Sequence, residues 1–441
     1  MSQRRRPVTG TLALLGRRPA FAQLWIAEIV SLGGDWFTLV ALSVAVVRAS
    51  HGSGLALGAL IVMQLLPMVV LGPWSGVLVD RVDRRRLLVA SDLARVVIVL
   101  LFIPAAESGQ LAPLYGLALL HFAVATVFEP GRAAILPSVV EDSELVRAST
   151  LSSVTWSVMA AAGGMASGAL LAILGLRAAF LVDAATFLAS ALLIASIPPG
   201  QIRPLPPRGL DALALRDGLA HLRKHPVTLA TLLVKTILGI ATVDAFLIVY
   251  ATRVFPWGDE GAFSLGLAWA AFGLGAILGP LLLNRVNDGS TARMRRFVVI
   301  GSALLTAALL TLAAAPSLPI FALAILLRGA GGSSNWTFST ILLQRTVPER
   351  LRGRLFGLEL ASNHLAAMVF SLLWGFLMDR AGVRQTVMAA ALLSALPLAL
   401  WTACVRAMDR REERERTAAI SNQRSATKET VIKSKNCFLM S

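Results

Sequence analysis

The chain has 441 residues, 56% of them hydrophobic and only 15% charged, with a mean hydropathy of +0.71. Soluble domains carry about a quarter charged residues, so these values exclude a soluble globular protein and point to a bilayer. A formal net charge of +16 would suit a nucleic-acid partner only if the basic residues gathered on one soluble surface, and their order along the chain rules that out.

The opening stretch, "MSQRRRPVTGTLALLGRRP", is basic with a short apolar run and no cleavage signal, so it reads as a cytoplasmic lead-in. Apolar runs long enough to span the hydrocarbon as helices, about 20 residues each, then recur twelve times. They fall near 21–47, 55–78, 87–106, 112–130, 151–174, 178–197, 229–252, 262–283, 297–315, 318–343, 355–378 and 386–405. Between the sixth and seventh, "PPGQIRPLPPRGLDALALRDGLAHLRKHP" begins with prolines that forbid helix and continues with the apolar spacing of a short surface helix. The tail from 406 mixes both charge signs and reads as disordered or loosely helical. Cys404 and Cys437 are too few for a disulfide framework.

With the N-terminus inside, 33 of the 41 Lys and Arg residues fall in inner segments. Outer loops hold five (Arg48, Arg177, Arg253, Arg380 and Arg384), and Arg95, Lys235 and Arg328 fall within spans. This is the positive-inside pattern. The charge therefore reports orientation: a multi-pass protein of the cell's inner (plasma) membrane, both termini cytoplasmic, with no nucleic-acid partner.

The two sets of six spans resemble each other. "LGP" at 71–73 recurs at 278–280, "DRVD" at 80–83 recurs as "NRVN" at 284–287, and "VVEDSELVR" at 139–147 has a looser counterpart in "TVPERLRGR" at 346–354. A duplicated six-span unit predicts two pseudo-symmetric bundles rocking about a central site. The predicted organisation is an N-terminal bundle (1–197), a linker with an amphipathic helix (198–228), a C-terminal bundle (229–405) and a charged tail (406–441).

The densest charge lies in "GVLVDRVDRR", residues 76–85. Anchoring to lipid headgroups accounts for most of Arg84 to Arg86, but not for Asp80. A carboxylate there suits a partner present in only one conformation, an arginine or a helix N-terminus, which would make it a gating latch. Gly76 allows close helix approach. The predicted latch comprises Gly76, Asp80, Arg81, Arg84 and Arg85, joined by Asp92 and Arg95 one turn apart in span 3.

This stretch resembles the loop signature between the second and third helices of the major facilitator superfamily, with Asp83 where the family often has glycine. "FEPGRAAILPSVVEDSELVRASTL" (128–151), "SLGLAWAAFGLGAILGP" (264–280) and "LLQRTVPERLRGRLFGL" (342–358) resemble the branch of enterobactin exporters and macrolide efflux permeases. The resemblance implies twelve helices, alternating access and proton-driven export of small molecules. The drug-antiport signature of the fifth helix is incomplete: "AAAGGMASGALLAILG" (160–175) keeps Gly163, Gly164 and Gly168 but has Met165 where the family has proline.

Charges inside spans are costly and mark the remaining candidates. Glu28 and Asp35, two turns apart in span 1, can line one path, and "DWFTLVAL" from Asp35 resembles a first-helix signature of the family's multidrug exporters. Desolvation favours the protonated form of a carboxyl, so a buried Asp35 can carry a proton; a carboxyl bonded to a neighbouring helix is the alternative for Glu28. Asp244 in span 7 matches Asp35 across the pseudo-twofold, while Lys235 is expected to snorkel. Arg328 in "LLRGAGGSSNW" can meet a carboxylate or an anionic substrate, or pair with Glu359. Lone His121 and His364 read as packed. Trp36, Asn335, Trp336 and Asn363 are candidate cavity walls.

No phosphate-binding loop, Cys/His metal cluster or G-x-S-x-G elbow appears, so neither enzyme, metal nor cofactor is expected. The expected function is a monomeric secondary transporter exporting an amphipathic drug-, macrolide- or siderophore-like molecule against protons. The rivals are an uptake or facilitative permease and a transport-inactive sensor or assembly partner.

Overall fold

The computed structural model describes residues 13–198, 220–242 and 244–438, a few individual side chains excepted. After a helical turn, Ala13–Arg17, come α1 (Pro19–Ala49), α2 (Gly54–Arg81), α3 (Arg84–Glu107), α4 (Leu111–Val139) and a continuous Asp142–Ala195. That last stretch divides at Gly175 into α5 (142–174) and α6 (176–195). Gly175 has φ 79, a conformation glycine adopts without steric cost, so two spans join with no loop between them.

The second half starts with a broken α7: Pro226–Ile240, then Asp244–Val249 and a π turn, Tyr250–Val254. It continues through α8 (Ala262–Arg285), α9 (Thr291–Ala314), α10 (Leu318–Thr346), α11 (Glu349–Ala381) and α12 (Val383–Phe438). Ten stretches are long and apolar enough to cross a bilayer, one of them holding both α5 and α6. α10 has the length but carries "RGAGGSSNW" in its middle. All twelve expected spans are present as helix, and no strand forms among the described residues. The chain is a multi-pass membrane protein in which each helix satisfies its own backbone, as lipid requires.

Short polar turns stop and restart these helices. Asp83 caps α3 by accepting from Arg86 N at 2.8 Å, and Ser290 caps α9 by accepting from Arg293 N at 3.2 Å. These equivalent places in the two halves give Asp83 a local reason for standing where the family often has glycine. α12 runs on as helix beyond residue 406, through the tail read as disordered or loosely helical. Residues 199–219 of the linker lie outside the described residues.

Helices α1–α6 pack into one bundle and α7–α12 into another, with α5 against α8 and α2 against α11 between them. Small residues make those two seams. Gly58 lies on the backbone of Ser371, Gly54 and Gly375 meet backbone to backbone, Gly168 lies on Gly266, and Gly273 on Ala161. The α2–α11 seam is one-sided. Gly72 is 18 residues from Gly54, and Gly357 is 18 from Gly375: five full turns, about 27 Å down the same helix faces. Both Gly72 and Gly357 have open space around them. The two helices therefore touch at one end and diverge toward the other, where Trp74 is 69% exposed. The gap opens on the face that bears the turns 82–83, 140–141 and 286–290, flanked by Arg81, Arg84 to Arg86, Arg147, Arg285 and Arg293 and termed here the basic face.

The opposite face is clasped. The Asp379 carboxylate, at the end of α11, accepts from Ser53 Oγ and Gly54 N, both at 2.6 Å, and from Leu55 N at 3.0 Å. It thereby caps α2 from the other bundle, an anion on a helix N-terminus. Arg253 donates to the His51 carbonyl at 2.6 Å, and Arg48 pairs with Glu260 at 3.4 Å. A cavity of about 270 Å³ lies beside the clasp, lined by Gly52, Val249, Arg253, Met378, Asp379 and Gly382.

Candidate transport site

The N-terminal bundle holds a polar cluster built from three helix faces. Ser31, Asp35 and Thr38 follow one face of α1; Asp92 and Arg95 stand one turn apart on α3; Asp183, Phe187 and Ser190 share a face of α6. Arg95, 1% exposed, is the hub. It donates through Nη1 to Asp35 at 3.2 Å and through Nη2 to Asp92 and, at 3.3 Å, to Ser31. The Phe128 and Phe187 rings lie 4.5 and 4.3 Å from its Cζ. Ser190 donates to the other Asp92 oxygen at 2.6 Å, and Thr38 donates to Asp183. Asp35 is the cluster's outlet: its side chain is 39% exposed, whereas Asp92 and Asp183 are fully buried.

Asp92 and Arg95 thus form one group with Asp35 in the middle of the membrane. That corrects their assignment to the Asp80 latch: Arg95 lies three turns into α3, out of reach of its first turn. Of the latch residues, Arg84 donates to the Ala134 carbonyl and Arg85 to the Ile194 and Ala195 carbonyls. They bind the ends of α4 and α6 within their own bundle, cations on helix C-termini. Arg81 is exposed, and the surroundings of Gly76 and the side chain of Asp80 lie outside what the structure describes.

Glu28 is held away from this cluster. Arg132 pairs with it at 3.1 Å, Ser152 donates to it at 2.9 Å, and Arg132 also takes Glu129 at 2.9 Å. This is the alternative of a carboxyl bonded to neighbouring helices. His121 is fully buried among Phe102, Phe122 and Phe187, as a packed histidine should be.

The C-terminal bundle corrects three expectations. Lys235 does not snorkel: it is buried, paired with Glu359 at 2.9 Å, bonded to Thr340 at 2.9 Å and set 4.2 Å over the Trp336 ring. Glu359 being taken, Arg328 has no pair with it. Asn335 faces α9, donating to Ser302 at 3.0 Å and packing on Gly301, and Asn363 donates to the Lys235 carbonyl at 2.6 Å. Their helical phase turns both into seams, so neither is a cavity wall. Trp336 does remain 43% exposed.

The first piece of α7 stops at Ile240, whose carbonyl accepts from the Trp374 indole at 3.1 Å, and the second starts at Asp244. The break sets Asp244 in the first turn of the second half-helix, where its charge acts on half-buried Arg328. From Trp36 an aromatic row runs across the bundle seam. Trp36 and Trp269 meet edge-on at 5.0 Å, Trp269 and Phe272 at 5.6 Å, and Arg328 Cζ stands 5.7 Å from the Phe272 centroid. Gly163 and Gly164 make room for the two indoles: Gly163 seats Trp36 and Gly164 seats Trp269. That steric role needs no proline at position 165.

Sequence reasoning missed Asp183, Arg132, Trp269 and Asp379. Asp183 and Asp379 are carboxylates in apolar helices and could have been flagged by the cost of an intramembrane charge. Arg132 and Trp269 carry no local signal that sets them apart from a turn arginine and a packed ring.

Two bundles of six helices, joined by α2–α11 and α5–α8 seams and parted on one face, form a shape that the sequence comparisons place. The Major Facilitator Superfamily profile matches residues 24–358 and 261–440. The chain belongs to the Major Facilitator Superfamily. It is 26% identical to the uncharacterized MFS-type transporter YfiS of Bacillus subtilis (strain 168) over 82% of this chain and 87% of that protein. It is 24% identical to macrolide efflux protein A of Streptococcus pyogenes over 83% and 91%. A crystal structure of a mutant of the nucleoside transporter NupG superposes with a TM-score of 0.71 at 11% identity, covering 87% of this chain and 99% of that one. Members of this superfamily are transporters that carry small molecules across membranes, not enzymes.

Proposed function

We propose that this superfamily member is a proton-coupled exporter of amphipathic small molecules, set in the inner (plasma) membrane with its basic face and both termini in the cytoplasm. The side assignment rests on the 33 of 41 Lys and Arg residues that the order of the sequence puts in inner segments. Efflux is supported by the likeness to macrolide efflux protein A. The observation that carries the coupling is the Asp35 cluster. Asp35 and Asp92 share one guanidinium, and Asp183, bonded to Thr38 in the same cluster, has an Oδ1 with no hydrogen-bond partner. Uncompensated charge in a protein interior costs several kcal/mol, so the cluster is neutral only with two protons on it. Asp35 is the partly exposed member, and on this reading its proton exchanges with whichever side the gap faces.

In the conformation seen, open to the basic face, Arg95 holds Asp35 as a carboxylate ready for cargo to enter. A proton taken up when the gap opens the other way cancels that charge and leaves Arg95 to Asp92. Each proton moving down the potential supplies about 2.3 kcal/mol per 100 mV. The test uses inside-out vesicles acidified within and loaded from outside with a panel of amphipathic dyes and a macrolide. Uphill uptake into the lumen is expected. Asp35→Asn should abolish it while leaving downhill exchange and expression intact. Undiminished uphill transport by that variant removes Asp35 from the coupling.

A further inference from the structure

Among the described residues, Arg328 is a charged side chain of the central region whose donors are left unused. A guanidinium has five N–H donors. Among the described residues Arg328 makes no hydrogen bond and no ion pair, and its Nε is buried without a partner. Every comparable cation is taken: Arg95 by Asp35 and Asp92, Arg132 by Glu28 and Glu129, Lys235 by Glu359. Asp244 acts on Arg328 electrostatically but stands beyond ion-pair distance. The side chain lies over Gly332, whose lack of a Cβ leaves room for Nη1. Its apolar flank is Phe272, the end of the aromatic row that begins at Trp36.

We propose that Arg328 is the anchor for an anionic group on the transported molecule, whose apolar body lies along the half-buried Trp36 and Phe272, with Trp269 packed behind them. The substrate class is then an amphipathic organic anion, a carboxylate or similar oxyanion on an apolar or aromatic frame. The guanidinium fork fits such a group in bidentate fashion, and stacked rings give apolar contact without fixing the frame's detail, which suits a broad range of bodies. Asp244 is the competitor. With no ligand it offsets part of the Arg328 charge, and a ligand oxyanion has to outbid it. This inference rests on the transport site proposed above, but it concerns what that site holds, not what drives it.

The test is a fluorescence titration of the full chain in lipid nanodiscs with two probes of one body: dansyl-phenylalanine, which has a carboxylate, and dansyl-phenylalaninamide, which has none. The acid should bind about tenfold tighter than the amide, the scale of a charge-assisted contact in a partly wet site. Arg328→Gln should erase that preference and leave amide binding unchanged, whereas Arg328→Lys should keep part of it. Asp244→Asn should tighten the acid several-fold and not the amide. Equal binding of the two probes, or no binding of either, overturns the proposal, as does a preference that survives Arg328→Gln. Should Arg328→Gln fail to fold, the comparison in the unaltered chain and in Asp244→Asn still decides. Equal probe binding alongside proton-driven dye uptake sinks the anion anchor and leaves export standing. A preference for the acid in a chain that moves nothing uphill sinks export and leaves the anchor.

Discussion

At the scale of single residues, Arg95 carries more than its position suggests. Removing one partner from a buried ion pair leaves the other charge uncompensated and costs about 3–5 kcal/mol. Arg95→Gln strands Asp92 and Asp35 together, so it should lower thermal stability in detergent by that order. Asp35→Asn should lower it far less, because Arg95 keeps Asp92 and Ser31. The double variant Arg95→Gln with Asp92→Asn should recover a large part of the loss, and a strictly additive result would show that the pair is not coupled. The sequence could name Asp35, Asp92 and Arg95 by cost alone, since each is a charge inside an apolar run. It could set Asp92 beside Arg95, three positions apart on one helix, but it could not bring Asp35 to them from 60 positions away on another helix. Lys235 shows the same limit. Its height in the span favoured snorkelling, and only the neighbouring Glu359, 124 residues away, reverses that reading.

At the scale of helices, glycines set where the bundles meet. Gly58 lies against the Ser371 backbone, with no flexible side chain to yield. Gly58→Leu should overpack that seam at a cost of about 1–3 kcal/mol and push α2 away from α11. Spin labels on Gln110→Cys and Gln385→Cys, both exposed on the clasped face, should then report a longer distance than in the parent chain. An unchanged distance would mean the seam does not hold that face shut. The helices themselves were legible, because length and hydropathy fix a span in lipid. The break in α7 was not: it has no proline, and it depends on the Trp374 indole reaching the Ile240 carbonyl. Seam glycines also look alike in sequence, so "GG" at 163–164 signals close packing without naming the two indoles it admits.

At the scale of the whole molecule, the internal repeat predicted two bundles, and the one-sided gap follows from which glycines touch. Gly72 and Gly357 occupy the same faces as the touching pair five turns away, so a rocking motion that opens the clasped face should bring them together. With Cys404 and Cys437 replaced by serine, Gly72→Cys and Gly357→Cys should cross-link slowly with a short bifunctional reagent. Asp379→Ala, which removes the cap that α11 places on α2, should speed the reaction several-fold by raising the population of the opposite state. Equal rates with and without Asp379 would deny the clasp any share in that balance.

The Asp379 clasp also bears on idle time. On the proposed orientation and coupling, a carboxylate plugging the start of α2, with Arg253 bound to a backbone carbonyl beside it, would insulate the membrane while the molecule rests unloaded in this state. Ions on the clasped side would then reach the interior carboxyls only once the plug is withdrawn, so waiting for cargo would not dissipate the gradient that the proposed export draws on.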